Sequence, residues 1–255
     1  MRRGLTLLEL IVAVGVVALL LAISLPVLGA VRLTARETEC LSQIRQTGLL
    51  MNSYATDHRG RLPQVGEPRL TRSFSNEGYW MNYFDQQMFW PIALRGYAAA
   101  PNDPRELTCP YTEIPVIERE EEFDSQFPEG AVLPVVYWYS SALFTRAALW
   151  RETAPVVDAS QLLPVNISEV AHPSAKAAFY ELAGRHRLVE PPLAPFGEDF
   201  DEHIRPYYRV PVALVDGSAA LKSRTELPGP VANPFYGGRP PTLFNTRDGF
   251  LGRDF

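Results

Sequence analysis

Met1-Arg2-Arg3-Gly4-Leu5-Thr6-Leu7-Leu8-Glu9-Leu10 opens the chain and runs into Ile11 to Val31, a stretch that carries no further charge. Roughly 22 residues from Leu10 to Val31 are uncharged, and at about 1.5 Å of rise each a helix of that length reaches about 33 Å, enough to cross the hydrocarbon of a bilayer. Glu9 is the anomaly. A carboxylate at membrane depth costs about 2.5 kcal/mol or more unless it is paired, so it needs a reason to be there.

Three fates of this segment are open on the residues alone. A secretory signal combines basic residues, an apolar core of about 7 to 15 residues and a small-residue cleavage site; this core is longer, and Leu28-Gly29-Ala30 is only a passable site. A signal anchor with Arg2 and Arg3 held inside satisfies the positive-inside rule but leaves Glu9 unexplained. The third fate follows from the whole constellation: Gly4 before the apolar run, Thr6, Glu9 five residues after that glycine, the two arginines, and Pro26 late in the run. It resembles the class III signal of type IV prepilins and type II secretion pseudopilins.

The resemblance implies chemistry at named positions. A prepilin peptidase in the membrane would cut on the cytoplasmic side after Gly4 and methylate the new amine on Leu5, where the family more often has Phe. Glu9 would pair with the N-terminal amine of a neighbouring subunit during filament assembly. The physics agrees, because an ammonium and a carboxylate in lipid each need a partner, and pairing across subunits fixes register. The alternative is an intrachain pair at four residues' spacing. Pro26 removes a backbone donor and should kink or loosen the helix, and the family has a proline at that depth.

The rest of the chain is bounded by composition. With 255 residues, 46% hydrophobic and 23 prolines, it is long enough for a membrane helix and one sizeable exported domain with long irregular connections. The net charge is −5, and loss of Arg2 and Arg3 from the 24 basic residues would make it −7. Such a balance argues against nucleic acid as a partner, since phosphate binding asks for a basic surface. Cys40 and Cys109 lie beyond the apolar run, in an oxidising compartment if that topology holds. They can form one disulfide or remain two buried thiols. No CxxC occurs, so zinc and dithiol redox chemistry lack sequence support.

Beyond the apolar run, Leu33, Cys40, Leu41, Ile44, Gly48, Met51, Tyr54 and Ala55 recur at intervals of three and four, with Arg36, Glu37, Glu39, Arg45 and Asn52 between them. This spacing predicts an amphipathic continuation of the same helix, ending near Asp57-His58-Arg59-Gly60, with Gly60 left-handed after the last turn and Pro63 preventing resumption. The cysteine-led helix, Cys109-Pro110 and a late Asp216-Gly217 also resemble a large-head subgroup of prepilin-like proteins of planctomycete-type bacteria. Val135 to Ser140 reads as an aromatic strand and Ala177 to Leu182 as a short apolar one. Asp216-Gly217 suits a two-residue turn between β segments on either side. The histidine pattern around that turn in the subgroup is not matched: His203 stands too far upstream and Ser218 takes the following position.

Other candidate sites are sparse. Glu198, Asp199, Asp201, Glu202 and His203 form the densest set of oxygen ligands, of the kind that holds calcium in some pseudopilin heads, but without EF-hand spacing. The acidic run Glu118 to Glu122 reads as a solvated loop. No GxSxG elbow, HExxH helix, phosphate-cradling loop or dinucleotide fingerprint is present, and His58, His172, His186 and His203 are isolated, so an enzyme is not expected. Trp80, Trp90, Trp138 and Trp150 would serve a carbohydrate- or peptide-binding head if exposed, although core packing is a tryptophan's default.

The expectation is an α+β, pilin-like subunit: a leader at 1–4, the transmembrane half of a long helix at 5–31, its amphipathic half at 32–60, an antiparallel-sheet head at 61–226, and a Pro/Gly-rich strap at 227–255 whose aromatics hold it to the head. It would sit in the inner membrane as a single-pass protein, N-terminus cytoplasmic and head exported. Its partners would be prepilin peptidase, other pilin-like subunits, the inner-membrane assembly machinery and lipid. The alternative is a membrane-anchored periplasmic or extracellular binding protein that does not assemble.

Overall fold

The computed structural model describes residues 6–64, 86–87, 90–94, 96–97, 109, 137–151, 162–181, 209–223, 231 and 246–255. Two compact units divide it, Met1–Thr38 and Glu39–Phe255. One helix, α1 (Leu7–Asp57), runs through the boundary, and its backbone stays helical through Pro26. Among the described residues of the first unit, none belongs to a buried hydrophobic cluster. Every Leu, Ile and Val from Leu7 to Leu25 is more than half exposed, from 77% at Leu7 to 52% at Val16.

The second unit has an α+β fold. From Cys40 onward α1 buries one stripe, Cys40, Ile44, Thr47, Gly48, Met51 and Ala55, with Leu41 and Tyr54 half-buried beside it. Leu33, which shares the spacing, stays exposed. After Asp57 the chain turns by a left-handed cap: the Gly60 N–H donates to the Ala55 carbonyl at 2.7 Å, and the His58 N–H to that of Tyr54 at 3.0 Å. Both Arg59 (φ 58°) and Gly60 (φ 82°) take positive φ, so the left-handed conformation begins one residue earlier than the glycine alone suggests. A side chain at Gly60 would run into Asn166, with a Cβ only 2.6 Å from its Oδ1. Asn166 in turn donates from Nδ2 to the Arg59 carbonyl at 3.0 Å, fixing where the chain leaves the helix.

Four strands form one antiparallel sheet in sequential order: β1 (Tyr137–Tyr139), β2 (Ala177–Glu181), β3 (Arg209–Leu214) and β4 (Ala219–Ser223). A short helix, α2 (Trp90–Leu94), contributes Trp90 and Leu94 to the core. Alternation along the strands sorts side chains to two faces. Tyr137, Tyr139, Phe179 and Ala213 share a cluster with Cys40, Ile44, Met51 and Ala55 of α1, whereas Trp138, Tyr180, Val210, Val212 and Leu214 form a second cluster joined by Phe255. A bulge between Ala177 and Phe179 lets Ala178 and Phe179 both enter the α1-side cluster. The sheet is therefore covered on both faces, which explains why its strands carry so few outward polar residues.

Helix and sheet approach closely at Gly48, where a Cβ would stand 3.2 Å from that of Ala213. The turn between β3 and β4 differs from the expected two-residue type. Leu214 N–H donates to the Ser218 carbonyl at 2.8 Å, so Val215, Asp216 and Gly217 make a three-residue loop. Only Gly217 (φ 84°) needs the left-handed region, as in a type I turn closed by a glycine bulge. Asp216 stabilises it by accepting from the Ser218 N–H at 2.9 Å and hydroxyl at 2.6 Å.

Candidate functional site

The start of α1 holds the best-defined of the sequence candidates. Gly4 and Leu5 lie outside the described residues. Thr6 and Glu9 bond reciprocally: the Thr6 N–H and hydroxyl both donate to Glu9 Oε2, at 2.8 and 2.9 Å, and the Glu9 N–H donates back to Thr6 Oγ1 at 3.3 Å. This is a capping box, which satisfies backbone donors that the first turn of a helix leaves orphaned. Sequence reasoning overlooked it because Glu9 already had an explanation. Its signal was present as Thr-x-x-Glu immediately before an apolar run. Among the described residues Glu9 Oε1 accepts no hydrogen bond, so one carboxylate oxygen closes the helix start and the other stays open.

Behind this cap, Leu7–Leu25 is long and apolar enough to cross a membrane: its 19 residues span about 28 Å. Ser24 satisfies its hydroxyl internally, donating to the Leu20 carbonyl at 2.7 Å. Pro26 falls just past this stretch, within the helix.

Cys40 and Cys109 are joined as a disulfide, with their Cα atoms 5.1 Å apart and a sequence separation of 69. Both are buried in the α1-side cluster. Next to them, the Tyr137 hydroxyl donates to the Cys40 carbonyl at 3.2 Å. The bond ties the first head-facing turn of α1 to a segment far along the chain.

The ligand-binding candidates fare differently. Trp90, Trp138 and Trp150 are all buried, and Trp80 lies outside the described residues. Trp90 Nε1 donates to the Tyr137 carbonyl at 2.8 Å and Trp150 Nε1 to Thr145 Oγ1 at 2.7 Å, so these indoles are core groups with satisfied polar tips. None of the three can stack on a sugar. Asp199, Asp201 and Glu202, with His186 and His203, also lie outside the described residues. His58 closes the end of α1, stacked on Tyr54 with ring centroids 3.8 Å apart, and Tyr97 donates to Asp57 Oδ2 at 2.9 Å beside them. His172 is exposed ahead of the Pro173–Ala175 turn.

One site had no sequence signal at all. Lys176 and Asp254 are both buried, with Lys176 Nζ 3.2 Å from Asp254 Oδ1, and they anchor 246–255 to the start of β2. Burial pushes the Lys176 ammonium below its ordinary range, partly offset by Asp254, and pushes the Asp254 carboxyl above its own, partly offset by Lys176 and the hydrogen bonds it accepts.

No protein-family model, curated protein or solved structure matches the chain.

Proposed function

We propose that the chain is a pilin-like structural subunit, cleaved after Gly4 by a prepilin peptidase, N-methylated on Leu5, and assembled with other pilin-like subunits into a type II secretion pseudopilus or a type IV pilus-like filament. The observation that carries this reading is the uncovered apolar surface of α1 from Leu7 to Leu25, on a helix whose later turns are built into an α+β head. A helix apolar on every side is at home only in lipid or among other helices. In lipid, helices associate through van der Waals packing and polar contacts, so many such subunits can bundle without covalent links.

Glu9 fits the same reading. The open Oε1 is available to an ammonium, while Oε2 keeps the Thr6 cap, so a neighbouring subunit's N-terminal amine can be met without unwinding the first turn. Before assembly the subunit would rest in the inner membrane with its N-terminus cytoplasmic and its head exported, where a disulfide persists.

The test is intact-mass and N-terminal peptide mass spectrometry on protein expressed with and without a prepilin peptidase. A chain beginning at N-methylated Leu5 only when the peptidase is present supports the reading. A start at Val31, or an uncut Met1 in both cultures, overturns it. Glu9→Leu should leave membrane insertion intact and lower co-assembly with wild-type subunits; equal incorporation would remove Glu9 from the mechanism.

A further inference from the structure

The buried Lys176 and Asp254 are held in direct contact. Their side chains are 0% and 2% exposed. Lys176 Nζ donates to the Gly249 carbonyl at 2.7 Å and to Asp254 Oδ1 at 3.2 Å. Asp254 Oδ2 accepts from the Ala177 N–H at 2.8 Å, and Oδ1 also accepts from the Thr246 hydroxyl. The Asp254 N–H donates to the Ala175 carbonyl at 2.9 Å, which holds the residue in place on both its backbone and its side chain. Trp150 closes the pocket against Gly249, where a Cβ would lie 2.6 Å from its ring.

Two charges taken out of water are expensive, and their attraction repays that cost only with good geometry. The same burial that lowers the Lys176 pKa and raises that of Asp254 favours their neutral forms, an amine and a carboxylic acid in contact. An amine and an acid fixed at this separation gain the large effective concentration of an intramolecular reaction.

We propose that Lys176 and Asp254 condense in the folded head to an amide linking Nζ to Cγ, a covalent cross-link between the start of β2 and the segment 246–255. The Nζ lone pair attacks Cγ, and the carbonyl electrons move onto Oδ2, where the Ala177 N–H stabilises the developing charge. In the neutral pair Oδ1 carries the acid proton, since Oδ2 is taken by the Ala177 N–H. Oδ1 receives a second directly from Nζ, which contacts it at 3.2 Å. The Cγ–Oδ1 bond then breaks, the carbonyl re-forms at Oδ2, and one water leaves. Nitrogen keeps one proton, and nothing is oxidised or reduced. The product leaves neither an ionisable amine nor an ionisable carboxyl in the interior. It requires only the folded head and does not depend on filament assembly.

The experiment is peptide mapping and intact-mass measurement of the full chain purified in detergent and reduced at its disulfide. The wild-type chain should be lighter than its sequence by one water, and trypsin should fail to cut after Lys176. The peptide from Glu152 to Arg185 should carry, on Lys176, the segment that begins at Asp254. A chain of full mass cleaved normally after Lys176 overturns the proposal, and so does a one-water loss confined to an unbranched peptide, which would mark a cyclic imide at Asp254. Lys176→Arg should restore the full mass; the branched wild-type peptide decides the matter even if that variant folds poorly. The N-terminal peptide in the same digest reports processing at Gly4 separately, so the two readings fail independently.

Discussion

The two halves of α1 share one backbone geometry and face different solvents. From Leu7 to Leu25 apolar side chains surround the helix and none is covered, whereas from Cys40 to Ala55 they narrow to one stripe and disappear into the head. The difference lies in what fills the other positions: Ser42, Gln43, Arg45, Gln46, Asn52 and Ser53 interrupt the later turns, whereas Glu9 and Ser24 alone are polar in the earlier ones. A helix thus encodes its surroundings by the width of its apolar face and not by its length. The second half is packed within the chain, while the apolar side chains of the first stay exposed.

The strongest way to break this contrast is to release the covalent tie of the second half. Replacing Cys40 and Cys109 together by serine opens a loop spanning 69 residues of sequence separation. In the chain-entropy treatment the head should lose about 4 kcal/mol. Thermal and denaturant unfolding of the full chain in detergent, followed by tryptophan fluorescence from the buried Trp90, Trp138 and Trp150, reads this directly. An unchanged midpoint would mean that packing alone holds the helix to the sheet.

A matched pair of truncations sharpens the contrast. Ile44 is fully buried in the α1-side cluster, and Ile44→Ala should cost the head about 3 kcal/mol through lost transfer energy and a residual cavity. Leu19→Ala removes similar bulk from a side chain that is 63% exposed and should move the same unfolding transition by less than about 0.5 kcal/mol. Equal effects at the two positions would show that the apolar turns contribute to the stability of the head.

The sequence revealed the main elements where the physics is local. The period of Cys40, Ile44, Gly48, Met51 and Ala55 announced the buried stripe, and the Asp57-to-Gly60 stop and the strands around Asp216-Gly217 followed from short-range rules. Thr47 escaped because a polar residue on that stripe reads as exposed, yet Gly48 brings the helix so near to Ala213 that its neighbour is buried too, with its hydroxyl donating back to the Gln43 carbonyl at 3.3 Å. The hairpin turn was misread in length because Asp-Gly serves both a two-residue turn and the end of a three-residue one; the Leu214 to Ser218 bond decides between them. Lys176 and Asp254 were invisible for a different reason. They are 78 residues apart, and no local pattern marks a charge that finds its partner only through the tertiary fold.

The most local effect tests the capping box that closes the start of the exposed half. Thr6 gives two donors to Glu9 Oε2 and takes the Glu9 N–H in return, so Thr6→Ala removes the hydroxyl from both sides of the box and keeps only the backbone donor. A lost threonine cap costs about 1 kcal/mol, and the loss falls on the first turn because helix ends fray locally. Hydrogen exchange of the amides from Leu7 to Leu10 in detergent should accelerate about fivefold, with protection beyond Val14 and the head's unfolding midpoint unchanged. The same variant separates the two duties of Glu9. If Oε2 serves the cap and Oε1 serves a neighbouring subunit, Thr6→Ala loosens the helix start but leaves the carboxylate able to pair, and its co-assembly should fall far less than that of Glu9→Leu. Equal losses for the two variants would mean that the formed first turn, rather than the charge, is what a neighbouring subunit recognises.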